Sequence, residues 1–139
     1  MEQRTLLFIK LDIEFSQSQI AEGESDIAKE EKFIAETKEF IPVLIAHNMR
    51  TDQSEKLIDQ SLKLIEIEKA RVEKYKKRLI KAEAEEKAFM EKLHGIKDPE
   101  LKEMATAYFI DLESCETIGK RYYLERTTVY KKIQRYFEA

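Results

Sequence analysis

Apolar residues recur through the first part of the chain at spacings that indicate one long α-helix over residues 5–41. Its irregular apolar face is made of Leu6, Ile9, Ile13, Ile20, Ile27, Phe33, Ile34 and Ile41. Residues 9–15 also alternate between apolar and polar types, as a strand would, but no second strand pattern is found to pair with them. We therefore predict a helix, which Pro42 should end or kink because its ring displaces a backbone hydrogen bond.

A second long helix is predicted over residues 52–94, with Thr51 or Asp52 as its cap and Gly95 as its stop. Apolar residues repeat along it every seven residues in two series, which together form a coiled-coil seam. The seam is made of Ile58, Ile65, Val72, Tyr75, Leu79 and Phe89. Such a stripe needs a partner helix. The short turn at 47–51 favours the first helix, folded back antiparallel, and a second copy of the chain is the other candidate.

Start signals divide the C-terminal region into three short helices. Asp98 is a capping carboxylate followed by proline at the first helical position, which is a strong helix start. Ser114 is expected to cap the next helix, over residues 115–122, and one more helix follows. The pattern therefore predicts an all-α fold, with a long helical hairpin or coiled-coil arm over residues 1–97 and a small three-helix domain over residues 98–139.

The end of the chain has the pattern of a helix-turn-helix. Ile118, Leu124 and Val129 are spaced so that side chains from two crossing helices meet in one small core. The inward face of the second helix is formed by Val129, Ile133 and Phe137. Its outward face carries Arg126, Thr127, Tyr130, Lys131, Gln134 and Arg135. Cations, hydroxyl groups and an amide on one surface are suited to contact DNA phosphates and base edges.

Charge is distributed unevenly along the chain. The formal net charge is -3, whereas residues 118–137 contain six Lys or Arg residues and one acid, Glu125. This local concentration of cations favours a specific nucleic-acid contact, while the overall acidity argues against a nonspecific DNA coat. A second cluster, over residues 74–81, holds five cations. It is interpreted either as an exposed coiled-coil flank or as a patch that contacts phosphates.

Composition and spacing argue against several classes of protein. No run of about 18 apolar residues exists, so no membrane span is expected. The single cysteine, Cys115, cannot form an internal disulfide, which favours a reducing, cytoplasmic location. His47 and His94 lack partners at metal-ligand spacing, and no glycine-rich phosphate loop is present. We therefore expect no catalytic residue, no metal site and no cofactor, and we do not expect an enzyme.

The C-terminal segment resembles region 4 of sigma factors, the helix-turn-helix that reads promoter DNA. The matching positions are Ile118, Leu124, Thr128 and Val129. The segment departs from that family at Tyr123, where a glycine usually makes a left-handed turn, and at Glu125, where a serine usually caps the second helix. A long helical leader followed by this module is similar to small phage transcription regulators of the RinA and ArpU type. The resemblance implies a phage-encoded regulator that acts in the host cell cytoplasm.

Residue pattern and resemblance together predict a sequence-specific DNA-binding transcription regulator that acts on promoter DNA. Its last helix would enter the major groove of double-stranded DNA. The predicted base contacts are Arg126, Thr127, Tyr130 and Gln134. The predicted phosphate contacts are Lys120, Arg121, Thr128, Lys131, Lys132 and Arg135. The helical arm would form a homo-oligomer, or recruit RNA polymerase or another transcription factor, and no membrane partner is expected.

An alternative use of the same helices is a phage-type protein-interaction module. In that case the helical arm would bind and modulate a host protein, and the helix-turn-helix would be a vestige or an autoregulatory device. Salt dependence separates the two functions. DNA binding should weaken steeply as salt rises, whereas binding of an apolar helix in a groove should not.

Overall fold

The computed structural model describes residues 1–138, which form helices joined by short turns. The helices are α1 (Thr5–Ala46), α2 (Asp52–His94), α3 (Pro99–Phe109), α4 (Cys115–Tyr122) and α5 (Arg126–Glu138). No strand occurs among the described residues. The predicted all-α fold, with two long helices that pack together and three short ones, is confirmed.

Local start and stop signals account for several helix boundaries. The side chain of Asp98 accepts a hydrogen bond from the backbone N–H of Glu100 at 3.1 Å, and Ser114 accepts one from the N–H of Thr117 at 3.1 Å. Each cap satisfies a backbone donor that the first helical turn leaves without a partner. α2 ends directly before Gly95, as the sequence predicts.

Pro42 does not end α1, which continues for one more turn to Ala46. The turn that follows the proline places Leu44 in a half-buried position, and the alternative, that Pro42 kinks α1, stays a prediction. The helix ends instead around Asn48, which has a left-handed φ of 57°. Asparagine is among the residues that adopt this conformation most readily. The N–H of Met49 then donates to the carbonyl of Leu44 at 2.8 Å and closes the end of the helix.

Contacts group the chain into two units, and each contains parts of both long helices. The hairpin unit is Phe15–Leu79, and the terminal unit is Met1–Glu14 with the chain from Ile80 onward. The division between residues 1–97 and 98–139 follows secondary structure alone and stays a prediction. By contacts, the first turns of α1 and the last turns of α2 belong with the three short helices.

The hairpin unit is held together by apolar residues of α1 and α2, which run antiparallel. Ile34, Ile58 and Ile65 form its buried cluster, and Ile27 and Ile41 pack against them. Five isoleucines of α1 are spaced by seven residues, namely Ile13, Ile20, Ile27, Ile34 and Ile41. The apolar face of α1 that looked irregular in the sequence therefore contains a regular coiled-coil series.

The predicted seam of α2 is covered by other parts of the same chain. Ile58, Ile65, Val72 and Phe89 are buried, whereas Tyr75 and Leu79 are half-buried. Ile58 and Ile65 pack on α1, and the ring of Tyr75 meets that of Phe15 edge-on, with centroids 5.7 Å apart. At these positions the partner is α1 and not a second chain, so the seam itself is not free to join two copies.

Gly23 allows a close approach between the two long helices. A Cβ atom at this position would lie 2.6 Å from Cγ2 of Val72, well inside van der Waals contact. A glycine in the interior of a helix weakens that helix relative to alanine. In the hairpin unit Gly23 has a packing role, because the space that a side chain would fill is occupied by Val72.

Arg71 joins the two helices of the hairpin unit through polar contacts. Its Nε donates to Oε1 of Gln19 at 3.1 Å, and its guanidinium lies 3.3 Å from a carboxylate oxygen of Glu22. A hydrogen bond with Glu68 raises the pKa of Arg71. Because Gln19 and Glu22 belong to α1 and Arg71 to α2, these contacts favour one register between the helices.

The terminal unit has an aromatic core that the short helices do not build alone. The ring of Phe89 from α2 lies edge-on to that of Phe109 from α3, with centroids 4.9 Å apart, and stacks on Phe137 from α5 at 5.2 Å. Leu6 of α1 and Leu93 of α2 belong to the same buried cluster. Three short helices enclose little apolar surface, so the ends of the long helices complete the core.

Candidate nucleic-acid interface

The end of α5 is tied to α2 by two reciprocal hydrogen bonds. Nζ of Lys92 donates to the carbonyl oxygen of Phe137 at 2.9 Å. The hydroxyl of Tyr136 donates to the carbonyl oxygen of Lys92 at 2.6 Å. The charge of Lys92 also interacts favourably with the negative end of the α5 helix dipole. These contacts hold α5 against the core and leave its opposite face to solvent.

The turn between α4 and α5 depends on backbone geometry. Tyr123 follows α4 in a left-handed conformation, with φ 58° and ψ 39°, and its side chain is 97% exposed. The N–H of Leu124 donates to the carbonyl of Gly119 at 2.9 Å. A Cβ atom at Gly119 would lie only 2.4 Å from the carbonyl oxygen of Leu124. Tyr123 therefore adopts the left-handed conformation that a glycine usually adopts in sigma factors. Gly119 has a different role, because it allows α4 to approach the backbone of Leu124.

The inward face of α5 follows the pattern predicted from the sequence. Val129 and Ile133 are fully buried, Phe137 is nearly so, and Ile118 of α4 is buried against them. Because residues four apart lie on the same side of a helix, this burial fixes the rotation of α5 about its axis. The residues between them are turned outward unless another segment covers them.

Three of the four predicted base-contacting residues lie on the open surface of α5. Arg126, Thr127 and Tyr130 are exposed, and with Cys115 and Lys131 they line a depression of about 350 Å³. The depression lies at the N-terminal half of α5, next to the first residue of α4. A guanidinium, a hydroxyl and a phenol are thus brought together on one surface.

Gln134 is not on that surface, so the prediction that it points outward is wrong. Its side chain is buried, with 6% of the residue exposed. Its Nε2 donates to the carbonyl oxygen of Met1 at 2.5 Å, and its Oε1 accepts from the amino group of Met1. Helical phase alone could not reveal that the start of the chain covers this part of α5. Gln134 is therefore excluded as a base contact in this conformation.

The predicted phosphate contacts fall into two groups. Lys131, Lys132 and Arg135 of α5 are exposed, and Thr128 is half-buried. On α4, Nζ of Lys120 lies 3.8 Å from Glu116, and Arg121 donates to Glu113 at 2.6 Å. The bond to Glu113 raises the pKa of Arg121. Exposed ion pairs of this kind contribute little to stability, so both cations remain able to exchange partners.

Two carboxylates lie among the predicted contacts, although the sequence did not single them out as site residues. Glu116 and Glu125 line a second depression, of about 410 Å³, together with Lys120, Leu124, Arg126 and Thr127. A carboxylate accepts hydrogen bonds from the amino group of cytosine and repels phosphates. Their positions in the sequence could have indicated that they lie near the site, since Glu116 is in the first turn of α4 and Glu125 directly precedes α5.

Cys115 and Tyr122 have titration behaviour set by their neighbours. Burial raises the pKa of the Cys115 thiol, which makes the thiolate scarce near neutral pH. The hydroxyl of Tyr122 donates to a carboxylate oxygen of Glu103 at 2.6 Å, and this hydrogen bond raises the pKa of Tyr122. Neither environment is one that activates a nucleophile.

Metal-binding clusters and membrane-spanning helices are both absent from the described residues. Within residues 1–138, no group of three or more His, Cys, Asp and Glu side chains is placed to hold a metal ion. None of the helices in this part of the chain combines the length and the apolar character needed to cross a membrane.

No protein-family model, curated protein sequence or solved structure matches the chain.

Proposed function

We propose that the chain is a sequence-specific DNA-binding transcription regulator, with α5 as the helix that enters the major groove. The observation that carries the proposal is the exposed row of Arg126, Thr127 and Tyr130 at the N-terminal half of α5. In helix-turn-helix proteins the N-terminal residues of the second helix contact base edges. The opposite face of α5 is buried and anchored, so the row is presented by a rigid element.

Each of these residues has a defined role in the proposal. Arg126 would donate two hydrogen bonds to O6 and N7 of a guanine, which is the commonest specific contact in the major groove. Thr127 and Tyr130 would contact neighbouring base edges through their hydroxyl groups. Lys131, Lys132 and Arg135, with Lys120 and Arg121 from α4, would contact phosphates and set the register on the duplex.

The biological setting of the proposal comes from the resemblance to region 4 of sigma factors and to phage regulators. On that basis the DNA would be a promoter, and the protein would be a phage-encoded regulator in the cytoplasm of its host. RNA polymerase or another transcription factor would be its protein partner.

Two substitutions on α5 should have different effects on DNA binding. Arg126→Ala should reduce discrimination at one base pair by about 1–3 kcal/mol, because it removes a bidentate base contact. Lys132→Ala should weaken binding to all sequences alike and reduce the slope of log affinity against log salt by about one. DNA fragments selected by the purified protein from a genomic pool would supply the site, and titrations at several salt concentrations would measure both effects.

The exposed Lys63 of α2, replaced by alanine, provides a matched control that removes one cation outside the interface. Arg126 and Lys132 are both exposed, so neither variant should unfold the domain. If both bind DNA as the unaltered protein does, α5 is not the DNA-contacting helix. The alternative function, an arm that modulates a host protein, would then be favoured.

Cys115 should report whether DNA occupies the depression beside α5. Because its raised pKa leaves little thiolate near neutral pH, alkylation by a maleimide should be slow and should accelerate as pH rises. Bound DNA should slow the reaction several-fold, which mass spectrometry of timed samples would show. The Cys115→Ser variant should bind DNA and keep its affinity after the reagent is added. Equal rates with and without DNA would mean that DNA does not cover this surface.

A further inference from the structure

The hairpin unit has more apolar positions than a two-helix pair needs. Four inward-facing isoleucines, Ile34, Ile41, Ile58 and Ile65, are each directly preceded in the sequence by another large apolar residue. These preceding residues are Phe33, Phe40, Leu57 and Leu64. Their exposed fractions are 40%, 54%, 40% and 48%, respectively. A two-stranded coiled coil needs a narrow seam, whereas a wider stripe with an additional flanking position is typical of helices in a bundle with more than one neighbour.

This wider stripe is confined to the part of the hairpin nearest the turn. At the corresponding positions farther from the turn stand Gln19 and Asp26 in α1 and Arg71 in α2. These three are polar, and Arg71 contacts the other two: it is hydrogen-bonded to Gln19 at 3.1 Å and lies 3.9 Å from Asp26. On this side of the hairpin, the positions far from the turn are polar and pair with each other across the two helices. The positions near the turn are apolar and exposed to solvent.

The open part forms a groove next to the turn. Its volume is about 550 Å³, and its apolar lining is Phe33, Phe40, Leu44, Met49 and Leu57. The polar residues around it are Glu36, Thr37, Arg50, Gln53 and Ser54. One acid and one base leave the border of the groove without net charge. A border of this kind fits a second identical surface, which would otherwise be repelled by like charges.

The exposed area agrees with what an interface between two copies requires. An aromatic side chain buries about 150–250 Å² when fully enclosed, so Phe33 and Phe40 together offer roughly 200 Å². With Leu57, Leu64 and Met49, which is 59% exposed, the apolar surface reaches roughly 400 Å². A standard interface buries about 800 Å² per partner, of which somewhat more than half is apolar. The patch therefore matches the apolar share of one side of such an interface.

We propose that two copies of the chain associate through this groove, with the hairpin units packed side by side as a four-helix bundle. Each copy would place its Phe33 and Phe40 against the groove of the other, in a contact that uses the same surface twice. Within the hairpin unit the predicted seam is covered by α1, so this flanking stripe is the surface that would join the copies. The inference does not depend on DNA binding.

Sedimentation of the full chain over a range of concentrations tests the proposal. The unaltered protein should form a dimer at micromolar concentration. Phe40→Glu should raise the dissociation constant at least tenfold, because a carboxylate would be buried between the copies. Leu64→Glu should act in the same direction. Ile80→Glu, which alters a 69% exposed isoleucine of α2 outside the groove, should leave the dimer unchanged.

Circular dichroism of the same samples would check that the variants are folded. Phe40 and Leu64 are both exposed, so their variants should remain helical. A monomer at about 100 micromolar would overturn the proposal. A dimer that Phe40→Glu and Leu64→Glu leave intact would also overturn it. In the first case the groove would be left for a different protein, and in the second the copies would meet elsewhere.

Discussion

Replacement of Val72 by aspartate should lower the free energy of unfolding by about 3–5 kcal/mol. Burying a valine contributes about 1.5 kcal/mol or more, and a buried polar group without a partner costs roughly 1–3 kcal/mol in addition. Val72 is 5% exposed, and its Cγ2 fills the space beside Gly23. The carboxylate of Glu68 lies beside the same glycine and would add repulsion. Urea denaturation followed by far-ultraviolet circular dichroism would measure the loss.

Ile67→Asp is the matched control, since it places the same charge on the same helix at a residue that is 63% exposed. Its effect should stay within about 0.5 kcal/mol, as for most surface substitutions. If Val72→Asp unfolds at the same urea concentration as the unaltered protein, the contact between Val72 and α1 does not exist. The packing described for the hairpin unit would then be incorrect.

Gly119→Ala should destabilise the terminal unit by about 1–3 kcal/mol, although alanine is the better helix former. The intrinsic preference favours alanine by about 1 kcal/mol. The added Cβ would lie 2.4 Å from the carbonyl oxygen of Leu124, and neither backbone segment can rotate away as a side chain would. Relief requires α5 to move relative to α4, with the costs typical of an overpacked core. The melting temperature and the affinity for DNA should both decrease.

Tyr123→Gly, four residues away, should have the opposite sign or no effect. Its left-handed φ of 58° costs a non-glycine residue about 1 kcal/mol, and glycine removes that cost at an entropic penalty of about 0.5–1 kcal/mol. The tyrosine side chain is 97% exposed, so little packing is lost. A stable Gly119→Ala variant together with a damaged Tyr123→Gly variant would show that the turn has another geometry.

Helix boundaries could be predicted from the sequence because their causes act within a few residues. Asp98 and Ser114 each bond a backbone donor two or three positions away, and Gly95 follows the last residue of α2. Pro42 shows the limit of such rules. Its ring and its missing N–H both disfavour the interior of a helix, yet α1 continues past it to Ala46.

Helical phase predicted which residues of α5 are exposed at most positions, whereas their contact with DNA stays a prediction. Helical phase from Val129, Ile133 and Phe137 places Arg126, Thr127 and Tyr130 outward, and they are exposed. The same phase places Gln134 outward as well, yet it is bonded to Met1, which is 133 positions away in the sequence. A periodic pattern describes one helix and carries no information about a distant segment that covers it. This is why five of the six residues assigned to the outward face of α5 are exposed and one is not.

The sequence by itself determined the helices, their ends and which face of each is apolar, since propensity, capping and periodicity are local properties. Only the tertiary structure decided what covers each face. Ile65 packs on α1, whereas Phe89, on the same predicted seam, packs on Phe109 and Phe137. The structure also gave Gly23 and Gly119 their roles, because a close approach is a distance between segments that are brought together by folding. A repeat of seven residues requires burial but does not name the partner, and the partner follows from the packing of the whole chain.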